Sequence, residues 1–147
     1  MSTLERAIVL AATVHAGQKD KAGAVYILHP LRLMMKMTLE SQIVAMLNDV
    51  LEDCGVTPEW LAYEGFAVSV VDAVMALTKR HVDGVEEPCA DFIDRAAQNP
   101  IARLVKRADL EDNRDLSRIP HPTAKDHARV QKYPAAKWVI EKATAGS

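Results

Sequence analysis

Helical periodicity is the feature that most limits how this chain can fold. Apolar residues recur at the helical spacing along nearly every segment, as at Leu4, Ile8 and Ala11. The segment from Val68 to Val74 is the one β-branched run, and its length and context also favour a helix. The pattern therefore predicts an all-α fold, a helical bundle of about seven or eight helices, with no convincing strand pair.

Capping and helix-breaking residues divide this pattern into segments. Ser2 with Glu5 fits a capping box, and Asn99-Pro100 separates two helices. Pro134 is expected to kink the last helix or end it after Tyr133. A polar, charged surface loop is expected from Thr78 to Pro88. The predicted helices cover residues 3–15, 30–38, 41–53, 57–64, 66–78, 89–98, 100–113 and about 123 onward.

The composition is typical of one soluble globular domain, placed at residues 1–147. A net charge of −2 gives no case for a nucleic acid or an anionic membrane as partner. No apolar run approaches the ~20 residues of a membrane span, and the first residues lack a basic signal region. Cys54 and Cys89 are isolated and indicate reduced thiols, as in a cytoplasmic protein. The oligomeric state is left open.

Three carboxylates lie within or next to the apolar run from Ile43 to Leu51. Asp49, Glu52 and Asp53 have the spacing i, i+3, i+4, which places them on one face of a helix. Like charges repel, and carboxylates beside a core lose hydration. A cation, or a substrate carrying one, would remove this conflict. A solvated acidic edge on an ordinary amphipathic helix is the alternative, and this stretch alone does not separate the two.

His29 stands directly before a proline and an apolar helix. A proline at the first helical position loses no hydrogen bond there, so Pro30 places His29 at the helix start, beside Leu28 and Leu31. A histidine fixed in this way is either a metal ligand or a hydrogen-bonded structural histidine.

Two later segments also carry polar residues at informative positions. Asp109 lies one position beyond Ala108, on the edge of a buried stripe, and Asn113 lies one turn later on the same side. The basic segment Lys79-Arg80-His81 would either meet a phosphate or form a solvated helix end.

Three separated motifs follow one another along the chain. They are Gly17-Gln18 with Tyr26-Ile27-Leu28-His29-Pro30, then Leu47 to Asp53, then Val105 to Asp109 with Asn113. In this order they resemble the HD-type hydrolase domain of the RelA/SpoT family, and especially the small stand-alone alarmone hydrolases. Thr78-Lys79 and the segment from Arg129 to Tyr133 add to the resemblance, which covers roughly residues 4 to 142.

The resemblance implies an all-α HD bundle that hydrolyses (p)ppGpp, the alarmone of the stringent response, removes its 3′-pyrophosphate and generally uses Mn²⁺. Glu52 and Asp53 match the acid pair that handles the attacking water. Asn113 matches a residue that contacts the nucleotide. Lys21 and Lys79 resemble positions near a phosphate or the base, and Arg114 is a candidate to balance substrate phosphates. The positions that match metal ligands are His29, Asn48, Asp49 and Asp109.

Two residues depart from the family pattern. Asn48 stands where the family has the metal-binding histidine of its HD motif, and an amide oxygen is a weaker ligand for Mn²⁺ than imidazole. Three protein ligands with water still suffice to hold a metal. Asp20 stands where the family commonly has an arginine close to the base. The alternatives are therefore a catalytically impaired nucleotide-binding relative, natural or made so on purpose, and an HD hydrolase of another phosphorylated nucleotide.

Overall fold

The computed structural model describes residues 1–145, so the last two residues of the predicted 1–147 domain lie outside the described part. Ten α-helical segments and one short hairpin form within it, and eight of the helices have eight residues or more. The predicted all-α fold is thus confirmed. The elements are α1 (Leu4–Val14), α2 (Leu28–Met35), α3 (Glu40–Leu47), α4 (Val50–Asp53), α5 (Pro58–Tyr63), α6 (Val68–Ala76), β1 (His81–Val82), β2 (Val85–Glu86), α7 (Cys89–Ala97), α8 (Pro100–Arg114), α9 (Ala124–Gln131) and α10 (Tyr133–Ala145).

Helix α3 is the centre of the bundle. The consecutive residues Val44 to Leu47 have no exposed surface, so this helix is enclosed on every side. Its neighbours are α1, α2, α6 and α8. The buried end of α3 therefore delivers the residues that follow it, Asn48 and Asp49, to the interior of the molecule.

A smaller apolar cluster joins the C-terminal helix to the bundle. Ile93 and Ala97 of α7 pack with Ile140 of α10, and Leu110 of α8 lies against them. The opposite face of α8 contacts α2 and α3.

The predicted helix 41–53 is wrong in one respect, because it breaks at Asn48–Asp49. Asp49 has φ −108° and ψ 6°, outside the helical range, and α4 begins one residue later. The Asp53 N–H still donates to the Asp49 carbonyl at 2.9 Å. Asp49 therefore takes the N-cap position, yet its carboxylate makes no capping bond.

The predicted loop from Thr78 to Pro88 contains a hairpin, so the absence of any strand pair was also a wrong prediction. Strands β1 and β2 pair antiparallel across Asp83 and Gly84, whose φ angles are 51° and 78°. Positive φ at both central residues suits an Asp-Gly turn.

Smaller boundary differences have local causes. Thr3 is the N-cap of α1, while the Ser2 hydroxyl donates to the Glu64 carbonyl instead. The break between α9 and α10 falls at Lys132, close to Pro134 as expected. Among residues 1–145, no helix is both long enough and apolar enough to cross a membrane.

Candidate active site

A cavity of about 540 Å³ lies between α2, the α3–α4 junction and α8. It collects residues that are far apart in the sequence, from the loop before α2 to helix α9. Of the ten predicted site residues, nine line it: Lys21, His29, Asn48, Asp49, Glu52, Asp53, Lys79, Asp109 and Asn113.

His29 is buried between carboxylates from two sides. Its Nδ1 lies 2.6 Å from Asp112 Oδ2, and its Nε2 lies 2.9 Å from Asp109 Oδ1 and 3.9 Å from Asp49 Oδ2. Ionised carboxylates only accept hydrogen bonds, so both ring nitrogens donate. Burial opposes the positive charge, but the bonds to Asp109 and Asp112 outweigh it and raise the pKa of His29 to about 10.

Asp49 is a carboxylate whose ionised form is disfavoured by its surroundings. Burial and the nearby charge of Asp109 raise its pKa to about 6. Its Oδ2 accepts a hydrogen bond from the hydroxyl of Tyr26, whose own pKa is raised by burial and by the charge of Asp49. The Tyr26 ring also lies 5.7 Å from the His29 ring, centroid to centroid.

Asp109 remains ionised because cations surround it. Burial alone would raise its pKa, but Lys106 and His29 hold it well below the usual range. The Lys106 Nζ donates to its Oδ2 at 3.0 Å and lies 4.7 Å above the centre of the Phe92 ring. The Asn113 amide donates to Asp109 Oδ1 at 3.0 Å.

Helix α4 presents Glu52 and Asp53 to the same cavity. Glu52 Oε1 accepts from the backbone N–H of Lys79 at 3.3 Å, and Asp53 Oδ2 accepts from Gln18 Nε2 at 3.2 Å. Gln18 is itself held by His15, whose Nδ1 lies 2.8 Å from Gln18 Oε1. His15 is therefore at the end of a supporting chain of contacts and does not line the cavity.

The candidate phosphate contacts are spread around the cavity rim. Lys21 Nζ lies 4.0 Å from Asp126, and Lys79 Nζ lies 3.3 Å from Glu86. Arg114, the tenth predicted residue, does not line the main cavity, and its guanidinium carbon lies 4.8 Å from the centre of the Tyr133 ring. It lines an adjoining cavity of about 270 Å³, whose walls also include Lys79 and Asn113.

Asp20 has a local structural role. Its Oδ1 accepts from the backbone N–H groups of Ala22 and Ala24, both at 2.9 Å. A carboxylate that caps its own loop in this way is a turn-forming residue. The acid at this position therefore shapes the loop that carries Lys21.

Asn48 is buried in the cavity wall, only 4% exposed, next to Asp49. Asn48 is thus one of the predicted metal-ligand positions that the structure brings to the cavity.

Several cavity residues have no role predicted from the sequence. Asp112 and Arg32 follow Asp109 and His29 by three residues, so each lies one helical turn beyond a predicted ligand. That spacing is the signal that could have identified them. Other polar cavity residues without a predicted role include Tyr26, Lys106 and Arg129.

The donor atoms in this cavity fit a divalent cation by type. An imidazole nitrogen and carboxylate oxygens suit first-row divalent metals. The pKa of Asp49 is raised first by burial and then by the charge of Asp109, and a cation beside the two carboxylates would offset that repulsion. Within residues 1–145, however, no group of three or more His, Cys, Asp or Glu side chains forms a ready-made metal site. The His29 Nε2 proton and the Lys106 ammonium occupy the ligand oxygens of Asp109 instead.

Several curated bacterial proteins are similar in sequence to this chain. It is 38% identical over 124 residues to a guanosine-3′,5′-bis(diphosphate) 3′-pyrophosphohydrolase of Vibrio cholerae, covering 77% of this chain and 18% of that protein. The Aquifex aeolicus protein of the same name is 34% identical over 119 residues, covering 75% and 17%. A GTP pyrophosphokinase of Myxococcus xanthus is 28% identical over 144 residues, covering 88% and 19%. The chain thus spans less than a fifth of the length of these relatives. No family model matches it.

A solved structure has the same fold. It is a metazoan ortholog of SpoT, described as a protein that hydrolyses ppGpp and plays a role in starvation responses. It superposes with a TM-score of 0.76 at 24% identity, covering 97% of this chain and 86% of that one. In sequence and in fold, the chain is therefore a relative of the RelA/SpoT-type HD-domain hydrolases.

Proposed function

We propose that this chain is a metal-dependent hydrolase of (p)ppGpp that removes the nucleotide's 3′-pyrophosphate, with residues 1–147 as a single HD-type hydrolase domain. The observation that carries the proposal is the meeting of His29, Asp49, Asp109, Glu52 and Asp53 in one cavity. The names of the curated relatives support the choice of substrate.

His29, Asp49 and Asp109 would hold the cation, for which we propose Mn²⁺. When bound, a divalent cation polarises a phosphoryl oxygen and lowers the pKa of a coordinated water. Asn48 adds a neutral amide oxygen beside these ligands.

Glu52 and Asp53 would take the proton of the attacking water. The water oxygen bonds to the 3′-phosphoryl phosphorus, and the bond from phosphorus to the 3′-oxygen breaks. The acid pair returns the proton that it took from the water to the 3′-oxygen, and pyrophosphate leaves. Gln18 orients Asp53, and the backbone of Lys79 orients Glu52. General base catalysis of this kind contributes about 10²–10⁴-fold.

Basic side chains line the same cavity and would balance the substrate phosphates. They are Lys19, Lys21, Lys79, Lys106, Arg118 and Arg129. We place Lys21, Lys79 and Asn113 against the nucleotide, with Arg114 in the adjoining cavity as an outer contact.

The test is pyrophosphate release from ppGpp by the purified chain with and without Mn²⁺. The proposal requires turnover that depends on the metal and that falls at least about 10²-fold in Glu52→Gln. Absence of turnover at saturating Mn²⁺ would contradict it.

A second candidate function is nucleotide binding without efficient turnover. Asn48 supports it, because this buried residue replaces an imidazole ligand with a weaker amide. In that case the wild type binds ppGpp without hydrolysing it, and Asn48→His gains activity. Hydrolysis of another phosphorylated nucleotide is less supported, because Asp20, its only motivation, caps its own loop.

The cytoplasm is the compartment we propose for this activity. Cys54 and Cys89 are both free thiols, which suits a reducing environment.

A further inference from the structure

Two ion-paired contacts join α2 to α8 at the cavity. The inner one joins His29 to Asp109, and the outer one joins Arg32 to Asp112. In each helix the two residues are three positions apart and lie on the same face. Asp112 also reaches across to His29 Nδ1 at 2.6 Å, so the outer contact supports the inner one.

Arg32 holds Asp112 through both carboxylate oxygens. Its Nε donates to Oδ1 at 2.8 Å and its Nη2 donates to Oδ2 at 3.0 Å. This two-pronged geometry fixes the plane of the carboxylate as well as its position. Asp112 is 5% exposed, and the Nη2 of Arg118 lies 3.4 Å from Oδ2 as a further cation.

We propose that Arg32 and Asp112 are a positioning pair, which holds His29 with its Nε2 facing Asp49 and Asp109 and thereby prepares that nitrogen for a cation. The inference rests on the proposed metal-dependent function. Nδ1 donates to the carboxylate of Asp112, and Nε2 donates to Asp109 in this structure. Nε2 is therefore the ring nitrogen whose proton a cation held by Asp49 and Asp109 would displace.

The proposed metal site depends strongly on the orientation of the His29 ring. Asn48 supplies an amide where an imidazole is expected, and His29 is the one histidine among residues 1–145 that lines the cavity. A single imidazole that turns away would leave only oxygen ligands. Neither Arg32 nor Asp112 need touch the substrate to have this effect.

Substitution of Arg32 distinguishes a positioning role from a purely electrostatic one, because the two roles predict opposite changes in Mn²⁺ affinity. Removal of a nearby positive charge should by itself tighten cation binding. Loss of a positioning contact should weaken it, by about 10–100-fold for a group that orients a metal ligand. The test is Mn²⁺ affinity of the full chain by isothermal titration calorimetry, for wild type, Arg32→Gln and Asp112→Asn.

The structure offers a matched control on the outer face of α8. Arg107 and Glu111 form an exposed pair 3.6 Å apart and line neither cavity. Arg107→Gln and Glu111→Gln remove the same charges as the test variants, so thermal melting and Mn²⁺ affinity are compared between each test variant and its control.

The inference requires that Arg32→Gln binds Mn²⁺ more weakly than Arg107→Gln. It also requires that the double variant, Arg32→Gln with Asp112→Asn, binds Mn²⁺ no more weakly than Asp112→Asn alone. Arg32→Gln that binds Mn²⁺ as tightly as its control overturns it. Additive losses also overturn it, because Arg32 would then not act through Asp112. Tight Mn²⁺ binding without ppGpp hydrolysis would contradict the proposed function and leave the positioning pair intact.

A metal-free measurement covers the case in which the wild type binds no Mn²⁺. By NMR of the ¹⁵N-labelled histidine rings, the His29 Nδ1 proton should exchange slowly with solvent, and Arg32→Gln should speed that exchange while Arg107→Gln does not. Equal exchange in both variants would overturn the inference.

Discussion

At the scale of single residues, we expect Asn48 to have the largest influence on metal affinity at the proposed site. It is buried beside Asp49 and brings a neutral oxygen to a site that holds one imidazole. We predict that Asn48→His tightens Mn²⁺ binding by at least about tenfold, because even residues that only orient a metal ligand change metal affinity by about 10-fold or more. Calorimetric titration of the folded variant measures this. Unchanged affinity would show that position 48 does not reach the cation.

In the proposed site, His29 should make metal binding depend on pH. Its pKa is raised to about 10 by its bonds to Asp109 and Asp112, against the effect of burial, so the metal-free imidazole is protonated at neutral pH. A cation needs the neutral form and must displace the proton. Affinity for Mn²⁺ should therefore rise with pH throughout the range below about 10.

Proton release gives the matching measurement. At pH 7.5, calorimetry in two buffers of different ionisation enthalpy should reveal about one proton released per Mn²⁺ bound. Binding with no proton release would contradict a protonated His29 between Asp109 and Asp112.

At the scale of single elements, the turn before α3 stores strain. Leu39 has φ 52° and ψ −131°, a conformation that favours glycine, and its side chain is 85% exposed. We predict that Leu39→Gly raises the free energy of unfolding by about 1 kcal/mol, because it relieves this strain. Urea denaturation measures the change. Leu39→Ala is the control, since it removes the same exposed side chain without relieving φ, and it should not stabilise the protein.

The helices were largely predictable, because their apolar period is set by burial within each segment. The break at Asn48–Asp49 was not, since the period continues through it from α3 into α4. The hairpin had a visible signal in Asp83-Gly84, but its flanking strands of two residues are too short to show alternation.

The site was predictable only in part, and for a related reason. His29, Asp49 and Asp109 stand in sequence motifs, whereas the Arg32–Asp112 contact joins residues 80 positions apart. Such pairing depends on how α2 packs against α8, which no local pattern reports. Arg114, expected against the substrate phosphates, stacks on Tyr133 because α10 brings that ring beside the end of α8.

At the scale of the whole molecule, a bound cation should stabilise the fold. The candidate ligands come from α2, the α3–α4 junction and α8, so a cation among them links three parts of the bundle. Binding to the native state alone contributes about 2.7 kcal/mol at a concentration of 100 times Kd. For a chain of this size the melting temperature should rise by roughly 5–10 °C.

Thermal melting with and without Mn²⁺ checks this linkage. Asp49→Asn should abolish the rise, while Glu111→Gln, on the exposed face of α8, should retain it. An equal rise in both variants would place the stabilising cation elsewhere on the molecule.

The position of the cation itself is the most direct test of a metal-dependent site. Anomalous diffraction from crystals grown or soaked with Mn²⁺ should reveal one peak bounded by His29 Nε2, Asp49 and Asp109, with Asn48 beside it and the bond from His29 Nδ1 to Asp112 retained. No peak in this cavity, with His29 still bonded to Asp109, would contradict the central claim that these residues form a metal-dependent hydrolytic site.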